Sequence, residues 1–261
     1  MSKSSSYPIY EHLLIIGATS ELAEDLFEKI LPLASQFTLV GRDTQKLRLL
    51  QARFGKKISI LSIDLSNLNE LNKLLLHIQE YKFDGLIQLQ GLGYYGHFEQ
   101  IEIPSHLEVL EINFTSQLQI IHQFVKYQKD PTQVKLIVSV ASMAGLVSCP
   151  YLASYSTAKA ALIHLSKILD IELKPEFRVL TVCPGAFGKA FSLKASSGKY
   201  HKQDGNKRYF SQVIETITQV IEHKKPKVFC CFLDRIKWIF SWVTPGVLLK
   251  KLFKKTLLSR I

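Results

Sequence analysis

Residues 12–23 read HLLIIGATSELA. The apolar run Leu13–Ile16 stops at Gly17, and beyond the polar pair Thr19-Ser20 the apolar residues Leu22, Leu26 and Ile30 recur at helical spacing through Glu21–Leu31. The reading is strand, tight turn, helix. Glycine lets the backbone bend sharply there, and the N-terminus of the following helix offers N–H groups to a pyrophosphate. Thr19 and Ser20 add hydroxyl donors, with Glu21 and Leu22 in the first helical turn. Ser20 also suits a helix N-cap, so the same stretch reads as an ordinary strand–helix turn with a serine cap.

Outward from this turn the pattern repeats. Apolar runs at His12–Gly17, Phe37–Gly41, Ile58–Ile63, Phe83–Leu89, Val134–Val140 and Phe177–Cys183 alternate with helical stretches at Thr44–Phe54, Asn67–Glu80, Pro104–Tyr127 and Ser154–Leu173, and Val228–Phe232 offers a last strand. Short apolar strands joined by crossover helices make an α/β fold, a doubly wound parallel sheet of about seven strands with helices on both faces, the Rossmann arrangement. Residues 1–11 are expected to be disordered, 12–230 to form a single domain with a flexible lid at about 187–210, and 231–261 a basic apolar helical extension.

The net charge of +11 is concentrated at one end. Residues 223–261 hold ten Lys/Arg against Asp234 alone, whereas the preceding 222 residues hold 23 basic and 21 acidic ones. The near-neutral body carries no basic groove for nucleic acid. In the tail, Trp238, Trp242, Leu248, Leu249, Leu252 and Phe253 lie among lysines, a composition suited to an interfacial helix on a bilayer, or equally to a cap over a pocket or a subunit contact. Its longest run of low polarity, Trp238–Leu249, is 12 residues, short of the roughly 20 that span a membrane. Four cysteines without metal or disulfide spacing, and a polar start without an apolar signal core, imply a reducing, cytoplasmic setting, with peripheral membrane contact expected only on the interfacial reading of 231–261.

The strand ending Leu39-Val40-Gly41-Arg42 lacks the acidic residue that would bond a ribose 2′-OH. Arg42 instead suits a 2′-phosphate through charge-assisted bonds, and is otherwise a solvated surface arginine. Asp64-Leu65 follows the third strand, where the carboxylate would accept from an adenine amino group or cap the next helix. Tyr155 and Lys159, four apart on one predicted helix, share a face. A nearby ammonium is expected to lower the phenol pKa from about 10. Ser142 lies thirteen residues upstream at a strand end, and Asn113 sits mid-helix, where asparagine is not favoured.

In the order and spacing of Asn113, Ser142, Tyr155 and Lys159, residues 12–185 resemble the short-chain dehydrogenases/reductases, and Pro184-Gly185 resembles the turn those proteins place beside the nicotinamide. The resemblance implies that Tyr155 exchanges the proton with a carbonyl or alcohol oxygen, that Lys159 holds the nicotinamide ribose and tunes Tyr155, that Ser142 positions the substrate oxygen and that Asn113 supports a water of the proton relay. It implies an NADP(H) site built from Gly17, Thr19, Ser20, Glu21, Leu22, Arg42, Asp64, Leu65, Gly91, Tyr155, Lys159, Pro184 and Gly185, with no metal. Three departures stand out: Glu21-Leu22-Ala23 replaces the second half of the glycine-rich turn, Gln88-Leu89-Gln90-Gly91 replaces an Asn-Asn-Ala-Gly segment, and Lys189 stands where a threonine contacts the nicotinamide amide.

The expected function is NADP(H)-dependent hydride transfer to or from a carbonyl or alcohol on an apolar substrate of lipid, steroid or polyprenyl type. An epimerase or dehydratase reusing Tyr155 and Lys159, and a non-catalytic NADP(H)-binding scaffold at membranes, are the alternatives. Apolar stripes on the two long helices, with the family resemblance, suggest a homodimer or homotetramer.

Overall fold

The computed structural model describes residues 9–185, 195 and 207–223. Its elements are β1 (Tyr10–Ile16), α1 (Glu21–Ile30), β2 (Ala34–Gly41), α2 (Thr44–Phe54), β3 (Ile58–Ser62), α3 (Leu68–Glu80), β4 (Gly85–Gln88), α4 (Ile103–Leu110), α5 (Ser116–Tyr127), β5 (Lys135–Val140), α6 (Ala153–Glu172), β6 (Phe177–Val182) and α7 (Lys207–His223). All strand pairs are parallel, in the order β3-β2-β1-β4-β5-β6. Six strands are present among the described residues, and the seventh expected at Val228–Phe232 lies outside them, as does the 231–261 extension.

The strands are apolar on both faces because both are covered. Leu13 and Ile15 of β1 pack with α1, α2 and α7 through Leu26, Phe27, Leu47, Val213 and Ile217. Leu14 and Ile16 face the other way, toward α3, α5 and α6 through Leu71, Leu74, Ile120, Phe124, Leu162 and Ile163. The strand order reverses between β1 and β4, and a crevice opens there at the carboxyl ends of the strands.

Local sequence sets the helix starts. Asp43 caps α2, its carboxylate accepting from the Lys46 amide at 3.0 Å. Asn67, not Asp64, caps α3, accepting from Asn69 and Glu70. The long helix expected from Pro104 to Tyr127 is interrupted by a π-helical turn, Glu111–Thr115, centred on Asn113. Such bulges concentrate at functional sites.

Two boundaries are corrected. Residues 10 and 11 are not part of a disordered terminus: they open β1, where the buried Tyr10 phenol donates to the Ile221 carbonyl at 2.7 Å and ties β1 to α7. Residues 207–210 are not lid but the first turn of α7, a helix the sequence reading passed over although Val213, Ile217, Val220 and Ile221 carry the apolar stripe that seats it.

At the end of the sheet away from the crevice, Asp84 and Lys135 form an ion pair, 2.8 Å apart and both buried. The second carboxylate oxygen of Asp84 accepts from the Glu11 and His12 amides, so one side chain joins β1, β4 and β5. Burial acts to raise the Asp84 pKa, but the Lys135 hydrogen bond, the two amides and the Lys135 charge hold it below the usual carboxylate value. Asp84→Ala leaves the buried Lys135 ammonium with Gln133 at 3.1 Å and the more distant Asp130 carboxylate at 3.7 Å, and is expected to cost about 3 kcal/mol in urea unfolding at pH 7. Because the folded pKa lies below the unfolded one, the wild-type advantage over this variant is complete above the ordinary carboxylate range and fades as pH falls through the folded value. Equal stability of the two at pH 7 would refute the assignment.

Candidate active site

A groove of about 270 Å³ opens at the crevice between β1 and β4. Gly17, Thr19, Ser20, Arg42, Asp64, Leu65 and Gly91 of the expected cofactor residues line it, joined by Gly41, Asp43, Lys46, Gln90, Leu92 and Ile112. Gly17 has φ +80°, and a Cβ there would stand 2.6 Å from the Gln90 nitrogen. Only glycine permits this turn to press against the backbone after β4. Glu21 is exposed and Leu22 packs into the core, so both would meet a phosphate with their backbone, as first-turn residues of α1.

The lining fits a dinucleotide. Ser20 occupies the N-cap position of α1 yet its hydroxyl makes no capping bond, and this buried Oγ has no partner within the protein, which suits a phosphate acceptor better than a cap. At the end of β2 a Cβ on Gly41 would lie 2.9 Å from the Thr19 side chain, so no acidic side chain fits there. Asp64 holds Ser66 in a local turn through Oδ1, at 3.0 Å from its amide and 2.7 Å from its hydroxyl, rather than capping α3.

The catalytic candidates gather beyond the inner end of the groove. Gly91 links the two parts: a Cβ on it would lie 3.4 Å from Asn113 Oδ1 and 3.7 Å from Lys159 Nζ. Asn113 is wholly buried and fully engaged. Its Oδ1 accepts from the Leu92 amide at 3.2 Å, and its Nδ2 donates to the Leu92 and Val109 carbonyls at 2.6 and 2.7 Å. The side chain imitates a strand partner for Leu92 and so earns its place in mid-helix. Its role here is to pin the post-β4 segment, and any relay water would have to use another atom of this residue.

Tyr155 and Lys159 share the inner face of the first turns of α6. The Tyr155 ring packs against the cluster of Leu92, Val109 and Ile112, as does Tyr94, and its phenol is hydrogen-bonded to Ser142. Ser142 follows β5 and also accepts from the Ala144 amide at 3.1 Å. Lys159 Nζ lies 5.8 Å from the Tyr155 ring centre and donates to the Gln90 and Val140 carbonyls at 3.3 and 3.2 Å. Pro184 and Gly185 sit across from Ser142: the Pro184 carbonyl accepts from the Met143 amide at 2.8 Å, and the Gly185 amide donates to Tyr209 of α7 at 2.5 Å.

The net shift at Tyr155 runs opposite to the expectation. Burial raises the phenol above 10 and outweighs the opposing Ser142 hydrogen bond, while burial also lowers Lys159 to about 8. Desolvation penalises both charged forms, and the ammonium is already shared between two carbonyls. At neutral pH the site therefore presents a neutral phenol beside an ammonium, a proton donor for an oxygen that is gaining negative charge. Cys149 and Cys183, near the phenol, are pushed by burial to about 12 and stay thiols.

A family model described as short chain dehydrogenase matches residues 11–199. The chain belongs to the short chain dehydrogenase family. It is 28% identical over 180 residues to 11-beta-hydroxysteroid dehydrogenase-like 4A of Arabidopsis thaliana, covering 66% of this chain and 60% of that protein. It is 27% identical over 183 residues to 3-ketodihydrosphingosine reductase of Mus musculus, covering 66% of this chain and 54% of that one. The matches thus span about half to three-fifths of these relatives' length. The solved oxidoreductase yciK of E. coli shares the fold, with a TM-score of 0.74 at 15% identity over 88% of this chain and 98% of its own.

Sequence reasoning overlooked Lys46, a second cation at the groove one turn into α2. Its signal is the Asp43 cap, which places residue 46 in the first turn of α2, where it lines the groove. Lys189 and Cys230-Cys231 lie outside the described residues. Among the described residues, no helix is long and apolar enough to cross a membrane.

Lys159 illustrates the conflict between stability and chemistry. Its folded pKa lies below its unfolded one, so holding the charge costs stability at neutral pH, and the penalty disappears as pH rises through the unfolded value. Lys159→Met is expected to raise the stability at pH 7, by up to about 3 kcal/mol, while abolishing turnover. A melting temperature below wild type would contradict this.

Proposed function

We propose that this chain is an NADP(H)-dependent oxidoreductase that reduces a carbonyl, or oxidises the matching alcohol, on an apolar substrate. The observation that carries the reading is the placement of the Tyr155–Ser142 pair and Lys159 at the inner end of the dinucleotide-shaped groove, joined to it through Gly91. Bound there, the nicotinamide would supply the hydride. In the reductive direction Tyr155 donates its proton to the substrate oxygen, Ser142 fixes that oxygen, and the Lys159 ammonium stabilises the phenolate left behind. Asn113 and Gly17 keep the two halves of the site in register through the segment after β4.

The preference for the 2′-phosphorylated cofactor rests on Gly41, where Thr19 leaves no room for an acid, and on Arg42 and Lys46 at the groove. The one acid between them, Asp43, is occupied in capping α2. An apolar substrate agrees with the aromatic and aliphatic surroundings of Tyr155 and with the ketone- and steroid-related names of two relatives. Fluorescence titration is expected to show tighter binding of NADPH than NADH, with Arg42→Ala weakening NADPH about tenfold or more and NADH little. Tyr155→Phe should keep the binding and lose about 10²–10⁴ in turnover of a ketosteroid or of 3-ketodihydrosphingosine. Binding of neither cofactor would end the oxidoreductase reading.

We also read the outer faces of α4–α5 and α6 as a self-association surface. Ile103, Leu107 and Leu118 on the first and Ile168 and Ile171 on the second are exposed hydrophobics at helical spacing. Sedimentation should show a dimer or tetramer that Leu107→Glu and Ile171→Glu dissociate, and a monomeric wild type would dismiss the surface.

A further inference from the structure

Among the described residues, six buried side-chain polar atoms have no hydrogen-bond partner within the protein, and four of them, Gln88 Nε2, Gln90 Oε1, Gln117 Oε1 and Ser139 Oγ, belong to one neighbourhood. Gln88 ends β4 and is paired in register with Ser139 of β5. Side chains alternate along a strand, and Leu86 and Ile137, two residues earlier on each, lie in the core beneath α3, α5 and α6. Gln88 and Ser139 therefore stand side by side on that same face. Gln117 is one turn before Ile120 and Ile121, the α5 residues that cover it. Gln90 reaches back, its Nε2 donating to Gln88 Oε1 at 3.3 Å. Lys159, one turn before Leu162 and Ile163, enters the same layer, and its two carbonyl acceptors belong to Gln90 and Val140, the latter next to Ser139.

The chemistry of the four atoms is complementary. Gln88 Nε2 donates, the Ser139 hydroxyl donates or accepts, and the Gln90 and Gln117 oxygens accept. Two donors and two acceptors are the valence of a water molecule, and buried waters bridge such otherwise unmet groups. Left dry, each would destabilise the fold, and apolar residues of similar shape would serve better.

We propose that Gln88, Ser139, Gln90 and Gln117 hold an internal water beneath Lys159, and that this hydrated chamber keeps the lysine charged inside the sheet–helix layer. Gln88 and Ser139 are then positioning residues that act through Lys159 and touch neither substrate nor cofactor. The titratable groups facing Lys159 are Tyr155 on its own helix and Cys183 after β6, both kept neutral by burial, while the π-turn before α5 presents Asn113 and the segment after β4 the Gln90 carbonyl. Burial already lowers Lys159 to about 8, so its charge has little margin to lose.

The test compares the wild-type full chain with Gln88→Met and Ser139→Ala. A high-resolution crystal structure of the wild type is expected to show a water bonded to Gln88 Nε2 and Ser139 Oγ. Lysine side-chain ¹⁵N NMR, with Lys159→Met to assign the signal, should show Lys159 titrating about 0.5 pH unit or more lower in each variant. The link to catalysis rests on the proposed function: the alkaline limb of NADPH-dependent ketone reduction should move down by the same amount. A dry chamber, or variants that melt at or above the wild-type temperature with Lys159 titrating unchanged, overturns the proposal, and a water without a shifted Lys159 does so too. A wild type that reduces no ketone ends the proposed function instead, and the water and the NMR titration still decide the chamber.

Discussion

The close approach of Gly17 to the backbone of Leu89 and Gln90 is the constraint on which the site depends. The left-handed glycine brings the β1–α1 turn against the segment after β4, at the point where the strand order reverses. That segment supplies the Gln90 carbonyl that holds Lys159 and the Leu92 amide and carbonyl that hold Asn113. The glycine turn and the Asn113–Lys159 group, more than ninety residues apart in the chain, thus share one short stretch of backbone. The π-turn of the α4–α5 helix belongs to the same arrangement, since it lets Asn113 spend its whole side chain on that stretch.

Around this junction the fold accepts local costs. A lysine and a tyrosine are withdrawn from water together, and burial outweighs what their partners return to either charged form. The ion pair of Asp84 and Lys135 at the opposite end of the sheet is the contrasting case. There a carboxylate receives two amides and an ammonium, and the charge is well matched. The same sheet thus carries a buried charge for cohesion at one end and a poorly compensated one for chemistry at the other. That division follows the parallel topology, in which the crevice opens at the carboxyl ends of the strands where the strand order reverses.

Much of the fold was legible because periodicity is a local signal. The helix Thr44–Phe54 is legible residue for residue, and the other strands and helices up to Val182 to within a few residues, because apolar periodicity acts over three or four neighbours. What escaped was of two kinds. The helix Lys207–His223 was overlooked behind a polar stretch, although its stripe was in plain sight, and Tyr10 and Glu11 were assigned to a loose terminus because their partners, Ile221 and Asp84, are distant in sequence. The exclusion of an acid at Gly41 was visible as a glycine, but its cause, the Thr19 side chain, was not.

The sequence by itself determined the order of most strands and helices, the glycine turn after the first strand and the spacing of Asn113, Ser142, Tyr155 and Lys159, since spacing along a helix or after a strand is written in the chain. Only the tertiary structure decided how those groups are charged and which of their atoms are already engaged. A pKa depends on the burial and partners contributed by several elements at once, and Lys159 meets two carbonyls and one ring that come from three different parts of the chain.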